Sequence, residues 1–424
     1  AALSCRGQSA HSLAAHLREV LAAIDGAPPL PEEPVTSEKF TVAFEELVVR
    51  AGSVNLLFDA LDEALPDQAY AIARHVLSPL ANTPGVRVIV GTRTQPRRRT
   101  TAPAAEESLL DTLELSLDPV VLGDDEEARA SIAGMVLSVL DTEQSPYGGD
   151  ARQEDRDWTA EIVAAQSHGS FLVARLAAEG LARRTTVAAE AELVAWLRDG
   201  GMDLRTRLAE ETRHLSEQPG AQRAHEVLRA LAVVQGPGLT PDEAWLTLAN
   251  ALRETGSPEL ALKDLRQVCR SADGGIVATQ KDGARQAVGG IRHQLAHPSY
   301  GEFFLSDAGL TVREAHRRVL DALRARPGGD WGDGDEYTLE YLGAHAAQVG
   351  PDALRELFED VGFLLRTNPD VMLPLAAGLA RDCDGAALYG RVADSFPRAS
   401  GPLSAPVLLE RKALLSATAF VSHR

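Results

Sequence analysis

Three acids stand close together in the run Leu56-Leu57-Phe58-Asp59-Ala60-Leu61-Asp62-Glu63, directly behind a short apolar stretch. A carboxylate at the carboxyl end of a strand lies where open parallel sheets place their ligands. There it can hold Mg²⁺, largely through water, beside nucleotide phosphates. A second acid one turn further on can orient and deprotonate an attacking water. Asp59 is therefore the candidate metal ligand, and Asp62 and Glu63 are candidate catalytic acids. The competing reading is that these acids cap the helix expected after Pro66. Arg93 ends the next apolar run, Val88-Ile89-Val90-Gly91-Thr92-Arg93, and from the same sheet edge it can read a γ-phosphate. Its competing reading is a surface arginine in a basic loop, which is also how Arg97-Arg98-Arg99 read.

Chemistry of this kind needs a sheet to aim it. Ala1–Cys5 reads as a short strand, followed by Leu13, Leu17, Val20, Leu21 and Ile24 on one helix face, a Pro-rich connection (Pro28 to Pro34), and a helix through Phe40, Phe44 and Leu47. Val54–Phe58 and Val86–Val90 read as strands buried on both faces, separated by a helix over Asp67–Leu80. Strand, helix, strand at this spacing predicts crossover units of an open parallel sheet. Thr94–Glu107 reads as a mobile loop, and Leu113–Leu117 as a last strand. From about 123 to 215 the pattern is helical, with an acidic loop near Gly148–Asp157. Residues 216 to 307 predict three helices and a hairpin, which together describe a winged helix. Thr240-Pro241-Asp242-Glu243 starts the second of these helices with Thr240 as its cap. Ile276–Thr279 and Ile291–Leu295 are the hairpin arms, with Lys281-Asp282-Gly283 in the turn and His293 on the wing surface. Residues 308–424 read as a helical tail.

A length of 424 residues suits about two to four domains. A formal charge of −19 argues against holding nucleic acid by bulk phosphate neutralisation. Cys5, Cys269 and Cys383 lie far apart, which suits a reducing cytoplasm and no disulfide framework. The sequence shows no apolar run of transmembrane length, so no membrane is expected. G-x-S-x-G, H-E-x-x-H and paired C-x-x-C motifs are absent from it. The first Met is Met135 and the chain opens on a strand, so a longer protein is expected.

The segment Leu56–Glu63 resembles the extended Walker B motif of NACHT-type ATPases, within the AAA+-related STAND class of signal-transduction ATPases. The resemblance implies Asp59 as the Mg²⁺ ligand, Glu63 as catalytic base and Asp62 as a supporting acid. Gly91-Thr92-Arg93 resembles the family's sensor arginine, whose usual setting is Thr-Ser-Arg or Thr-Thr-Arg. Leu295-Ala296-His297-Pro298-Ser299-Tyr300-Gly301-Glu302-Phe303-Phe304 resembles its winged-helix signature, whose histidine bonds the β-phosphate of ADP and locks the inactive state; His297 is the matching position. Gly169-Ser170-Phe171-Leu172-Val173-Ala174 resembles the lid segment that contacts adenine, with Gly169 and Phe171 at the nucleotide. Many relatives have Pro where Phe171 stands, so Phe171 reads equally as core. The fold implied is the incomplete α/β parallel-sheet core of a P-loop-type ATPase (1–122), then a helical lid (123–215), a winged helix (216–307) and the α-helical tail.

No G-x-x-x-x-G-K-[ST] run occurs in the chain. That loop cradles phosphates with backbone N–H groups and supplies a lysine and a magnesium-binding hydroxyl. In the family it precedes the strand read at Ala1–Cys5, so it is expected just ahead of Ala1, and the 424 residues alone are expected to bind ATP poorly. Three functions compete. The first is an ATP/ADP-controlled signalling switch that self-assembles or meets protein partners, with defence roles implied by resemblance. The second is a non-catalytic interaction scaffold derived from such an ATPase. The third is a winged-helix DNA-binding regulator using Lys263, Arg266 and Arg270.

Overall fold

The apolar runs at the start of the chain become a small parallel sheet. In the computed structural model β1 (Ala2–Ser4) is followed by α1 (Ala10–Ala22), α2 (Glu38–Ala51), β2 (Val54–Asp59), α3 (Gln68–Ile72), a π turn over Ala73–Leu77, α4 (Ser78–Ala81) and β3 (Val86–Val90). Residues 23–29, 32–34, 66–67, 94–108, 114–122, 124, 272–274, 282–290, 326–330, 397–403 and 423–424 lie outside the described part. The expected Pro-rich connection, Thr94–Glu107 loop with Arg97–Arg99, and hairpin turn at Asp282-Gly283 fall largely or wholly there. The strands pair in parallel in the order β1-β2-β3, with Leu57 opposite both Ala2 and Ile89. All three carboxyl ends thus share one edge.

Helix α2 shows the local logic. Ser37 accepts from the Phe40 N–H at 3.1 Å to open it, and Gly52 closes it at φ +76°. Between these caps Phe40, Phe44 and Leu47 fall on one face and join Leu13, Leu17, Leu56, Phe58 and Leu80 in one core. Only one face of β2 is buried, which corrects the expectation of two. Val54, Leu56 and Phe58 point into that core, whereas Leu57 is 43% and Ile89 63% exposed. The reason is coverage: α1, α2 and the α3–α4 segment pack on a single side. Of the strand expected at Leu113–Leu117, residues 114–117 lie outside the described part. Leu109–Thr112 forms a short helix, α5, which turns buried Leu109 and Thr112 onto the core, and Leu113 is a turn.

Helices then dominate. α6 (Glu126–Leu140), α7 (Gln153–Gln166), α8 (Phe171–Ala182), α9 (Glu190–Trp196) and α10 (Leu204–Glu217) follow, and Ile132, Val136, Leu140, Val163, Leu181 and Leu193 form a second core. The acidic loop is pinned by buried Arg156, which donates to the carbonyls of Tyr147 at 2.7 Å and Gly149 at 2.6 Å. It ends sooner than expected, because Gln153–Asp157 already belong to α7.

Next come α11 (Ala224–Leu231), α12 (Glu243–Leu252), α13 (Leu262–Ser271), an antiparallel pair β4 (Val277–Lys281) and β5 (Ile291–Leu295), and α14 (Pro298–Asp307). The cap of α12 is Asp242 and not Thr240. The carboxylate accepts from the N–H groups of Ala244 and Trp245 at 3.1 and 3.3 Å, while the Thr240 hydroxyl donates to it. One carboxylate serving two amides outcompetes a hydroxyl. The C-terminal region is helical: α15 (Val312–Arg324), α16 (Glu336–Val349), α17 (Pro351–Glu359), α18 (Val361–Arg366), α19 (Pro369–Leu379), α20 (Asp384–Val392) and α21 (Ala405–Ser422). A third core runs from Leu228 and Trp245 through Leu320 and Leu342 to Tyr389, and it also takes in Leu65 from the sheet region. Among the described residues no helix is long and apolar enough to cross a membrane.

Candidate functional site

The ends of β2 and β3 are knitted by their own backbone. Gly91 N–H donates to Phe58 O at 2.7 Å, and Leu61 N–H returns to Gly91 O at 3.1 Å. Between them Ala60 adopts a left-handed conformation (φ 57°, ψ 44°) that turns the chain into the 3₁₀ segment Leu61–Glu63. A Cβ on Gly91 would stand 2.5 Å from Asp59 Oδ1, so only glycine lets that carboxylate lie across the end of β3. The Asp59 side chain is exposed and, among the described residues, makes no hydrogen bond or ion pair. Cys5 N–H donates to Asp59 O at 2.8 Å. Burial, with the charges of Asp59 and Asp62 adding to it, pushes the Cys5 thiol up to about 12. Cys5 is therefore a buried, protonated thiol at neutral pH.

Asp62 and Glu63 are bound to arginines. Arg93 N–H donates to Asp62 Oδ1 at 3.1 Å, and its guanidinium Nε lies 3.5 Å from Asp62 Oδ2. Its Nη2 stands 3.5 Å from Glu63 Oε1, with the Arg93 side chain 53% exposed and those of Asp62 and Glu63 5% and 14%. Asp62 thus holds the end of β3. From the other side Arg6 Nε approaches Glu63 Oε2 at 3.1 Å. Arg6 also donates through Nη1 to the carbonyl of Leu295 at 2.6 Å, reaching the last residue of β5.

Two residues beyond that carbonyl, His297 caps α14. Its Nδ1 accepts from the Ser299 N–H at 3.2 Å, ahead of Pro298 at the first helical position. Burial holds its titration below the ordinary histidine range, and the nearby positive charges of Arg93 and Arg6 push the same way against Glu302. The ring is therefore neutral at pH 7. With Nδ1 accepting, its proton sits on Nε2 as a donor. The close approach extends to the backbone, since a Cβ on Gly7 (φ +64°) would run into the carbonyl of Gly236.

The structure thus brings Asp59, Asp62, Glu63, Arg93 and His297 to one edge of the sheet. It does not bring Gly169 or Phe171 into bonded contact with them. Gly169 (φ +79°) precedes the cap Ser170, and Phe171 on the first turn of α8 is 48% exposed, so it is not core. One turn on, Arg175 does reach across, donating to Gly275 O at 2.9 Å and adding its charge near His297. His293, expected on the wing surface, is buried: its backbone pairs with Leu239 and its ring lies 5.6 Å from that of Trp245. Arg6 and Arg175 are the residues sequence reasoning missed. Arg6 follows a strand at the ligand edge, and that position was the available signal.

Among the described residues no three His, Cys, Asp or Glu side chains converge as a metal-ligand cluster. A divalent cation here would rest on the exposed Asp59 carboxylate, water and oxygens of a bound ligand, a donor set that suits Mg²⁺. Comparison with protein-family models, with curated proteins and with solved structures finds no match.

Proposed function

We propose that the chain carries most of a nucleotide-controlled switch ATPase of the NACHT and STAND type. The observation that supports it is the convergence of Asp59, Asp62, Glu63 and Arg93 with the helix headed by His297, linked through Arg6. In this reading α11–α13 and the β4–β5 hairpin form the winged helix, α6–α10 the lid, and α15–α21 the tail. Mg²⁺, when bound, supplies charge neutralisation at the nucleotide phosphates. Asp59 would present a carboxylate to it, and Glu63 would accept the proton of an attacking water once released from its arginines. Asp62 positions Arg93, whose half-exposed guanidinium would read a terminal phosphate. His297 Nε2–H would donate to an inner phosphate of ADP and hold the closed state, the differential contact that a switch requires.

The 424 residues contain no G-x-x-x-x-G-K-[ST] run, so the test uses the product of the full reading frame as well as this chain. Calorimetric titration should show ADP binding to the former that weakens roughly tenfold in His297→Leu, the loss of one phosphate hydrogen bond. Folding and partner binding indifferent to nucleotide would hand the molecule to the scaffold reading. A second reading is favoured by one observation. Lys263, Arg266 and Arg270 are exposed on one face of α13, as duplex contact would require. Asp264 and the net charge of −19 oppose it, and salt-independent or absent duplex binding would dismiss it.

A further inference from the structure

Residues 5–7 and the acid loop are fastened to each other at both ends. Cys5 N–H donates to Asp59 O and Gly7 N–H to Glu63 O, each at 2.8 Å. Arg6, held between these two bonds, points away from the sheet toward β5. Its Nε lies 3.1 Å from Glu63 Oε2 and its Nη1 2.6 Å from Leu295 O. On this turn, glycine at position 7 admits the backbone of Gly236, and beside it Leu65, whose N–H donates to Gln8 O at 3.1 Å, inserts into the third core. The docking surface between the sheet and the hairpin unit is therefore built on the turn that carries Arg6.

We propose that Arg6 is an autoinhibitory clasp: one guanidinium ties Glu63 to the Leu295 carbonyl, so the acid stays occupied for as long as the hairpin unit is docked. The inference rests on the reading of Glu63 as the base of a nucleotide site. A planar guanidinium presents several donors in fixed directions and can satisfy two acceptors at once, which an ammonium cannot do in the same geometry. With Arg6 on one oxygen and Arg93 Nη2 at 3.5 Å from the other, Glu63 has both oxygens engaged by cations. Undocking β5 removes the Leu295 acceptor, lets Arg6 swing away, and exposes Glu63 to water. The clasp thus converts a movement of the hairpin unit into availability of the base.

Two measurements test this. On the 424-residue chain, hydrogen exchange and the NMR titration of His297 are compared among wild type, Arg6→Gln and Arg6→Lys. Exchange at Gly7 and Ala296 is expected to quicken roughly tenfold in Arg6→Gln, with Arg6→Lys intermediate, as a docked contact loosens. The His297 titration should move upward, because one of the cations that depress it is gone. Unchanged exchange and an unchanged titration in folded Arg6→Gln overturn the clasp; if Arg6→Gln does not fold, the exchange rates of Arg6→Lys, which keeps the charge but not the second donor, decide alone, and unchanged rates overturn it. On the protein from its complete reading frame, Arg6→Gln should raise basal ATP turnover roughly three- to tenfold at unchanged KM, a lowered barrier and not tighter binding. Normal nucleotide binding with unchanged turnover overturns the clasp alone. No nucleotide binding by any variant, wild type included, overturns the reading of the site and the clasp's regulatory role with it.

Discussion

Arg93 meets Asp62 twice, through its backbone N–H at 3.1 Å from Oδ1 and through its guanidinium Nε at 3.5 Å from Oδ2. The carboxylate is nearly buried and the guanidinium is half exposed, so the charge pair alone contributes little. The backbone bond matters more, because it fixes where β3 releases the chain. Asp62→Ala should cost about 1–2 kcal/mol, the value of a lost charge-assisted hydrogen bond to a shielded acceptor. Chemical denaturation checks this, and Asp62→Asn, which keeps the acceptor oxygen, should recover part of the loss.

Ala60 sits in the left-handed region directly after Asp59 and sets the direction of the acid loop. An alanine there carries backbone strain of about 1 kcal/mol, and a β-branched residue carries more. Ala60→Gly should therefore leave stability unchanged or raise it by about 0.5 kcal/mol, strain relief being offset by unfolded-state entropy. Ala60→Val should lower stability by about 1–2 kcal/mol. Equal midpoints for both variants in urea would refute the claim that this turn is strained.

Gly236 occupies φ +79°, and a Cβ there would run into the Tyr341 ring of α16. Its carbonyl in turn meets Gly7, so one glycine joins the hairpin unit to both the sheet and the helical C-terminal region. Gly236→Ala combines left-handed strain with overpacking and should destabilise by about 2–4 kcal/mol. A thermal midpoint within error of wild type would mean that Tyr341 yields freely.

The strands carrying the acids were legible because apolar runs cut short by Gly52 and Asp59, or by Gly91, have few other solutions in a chain alternating with helices. Asp59 and Arg93 at one edge follow from that pattern alone. The open face of Leu57 and Ile89 was not legible, since an apolar run does not reveal what covers it. The cap at Asp242 required knowing which of two neighbouring oxygens reaches the amides. Burial of His293 depends on Trp245 and Leu239, and Arg6 finds its carbonyl 289 positions away. Contacts of that kind leave no local periodicity to read.

A chain of buried polar groups fastens the C-terminal helices to the loop after α11, and it predicts how the protein responds to acid. Gln235 N–H donates to Tyr337 Oη at 3.1 Å, Tyr337 Oη lies 2.9 Å from His345 Nε2, and His345 Nδ1 lies 2.9 Å from His316 Nδ1. A neutral His345 suits these contacts, its two ring nitrogens dividing one donating and one accepting role between Tyr337 and His316. Burial, reinforced by His316, holds His345 well below the ordinary 6.5. Between that folded value and the unfolded value near 6.5 the unfolded chain binds more protons, so stability rises with pH across the window. It is fully present above about pH 6.5 and is lost progressively as the pH falls toward the folded value. His225 and His297, both also lowered, act in the same direction. Urea midpoints at pH 7.5, 6.0 and 5.0 should therefore fall steadily, and His345→Gln should start lower yet lose less across the same range. A parallel decline in wild type and variant would assign the acid sensitivity to the other histidines and to the carboxylates.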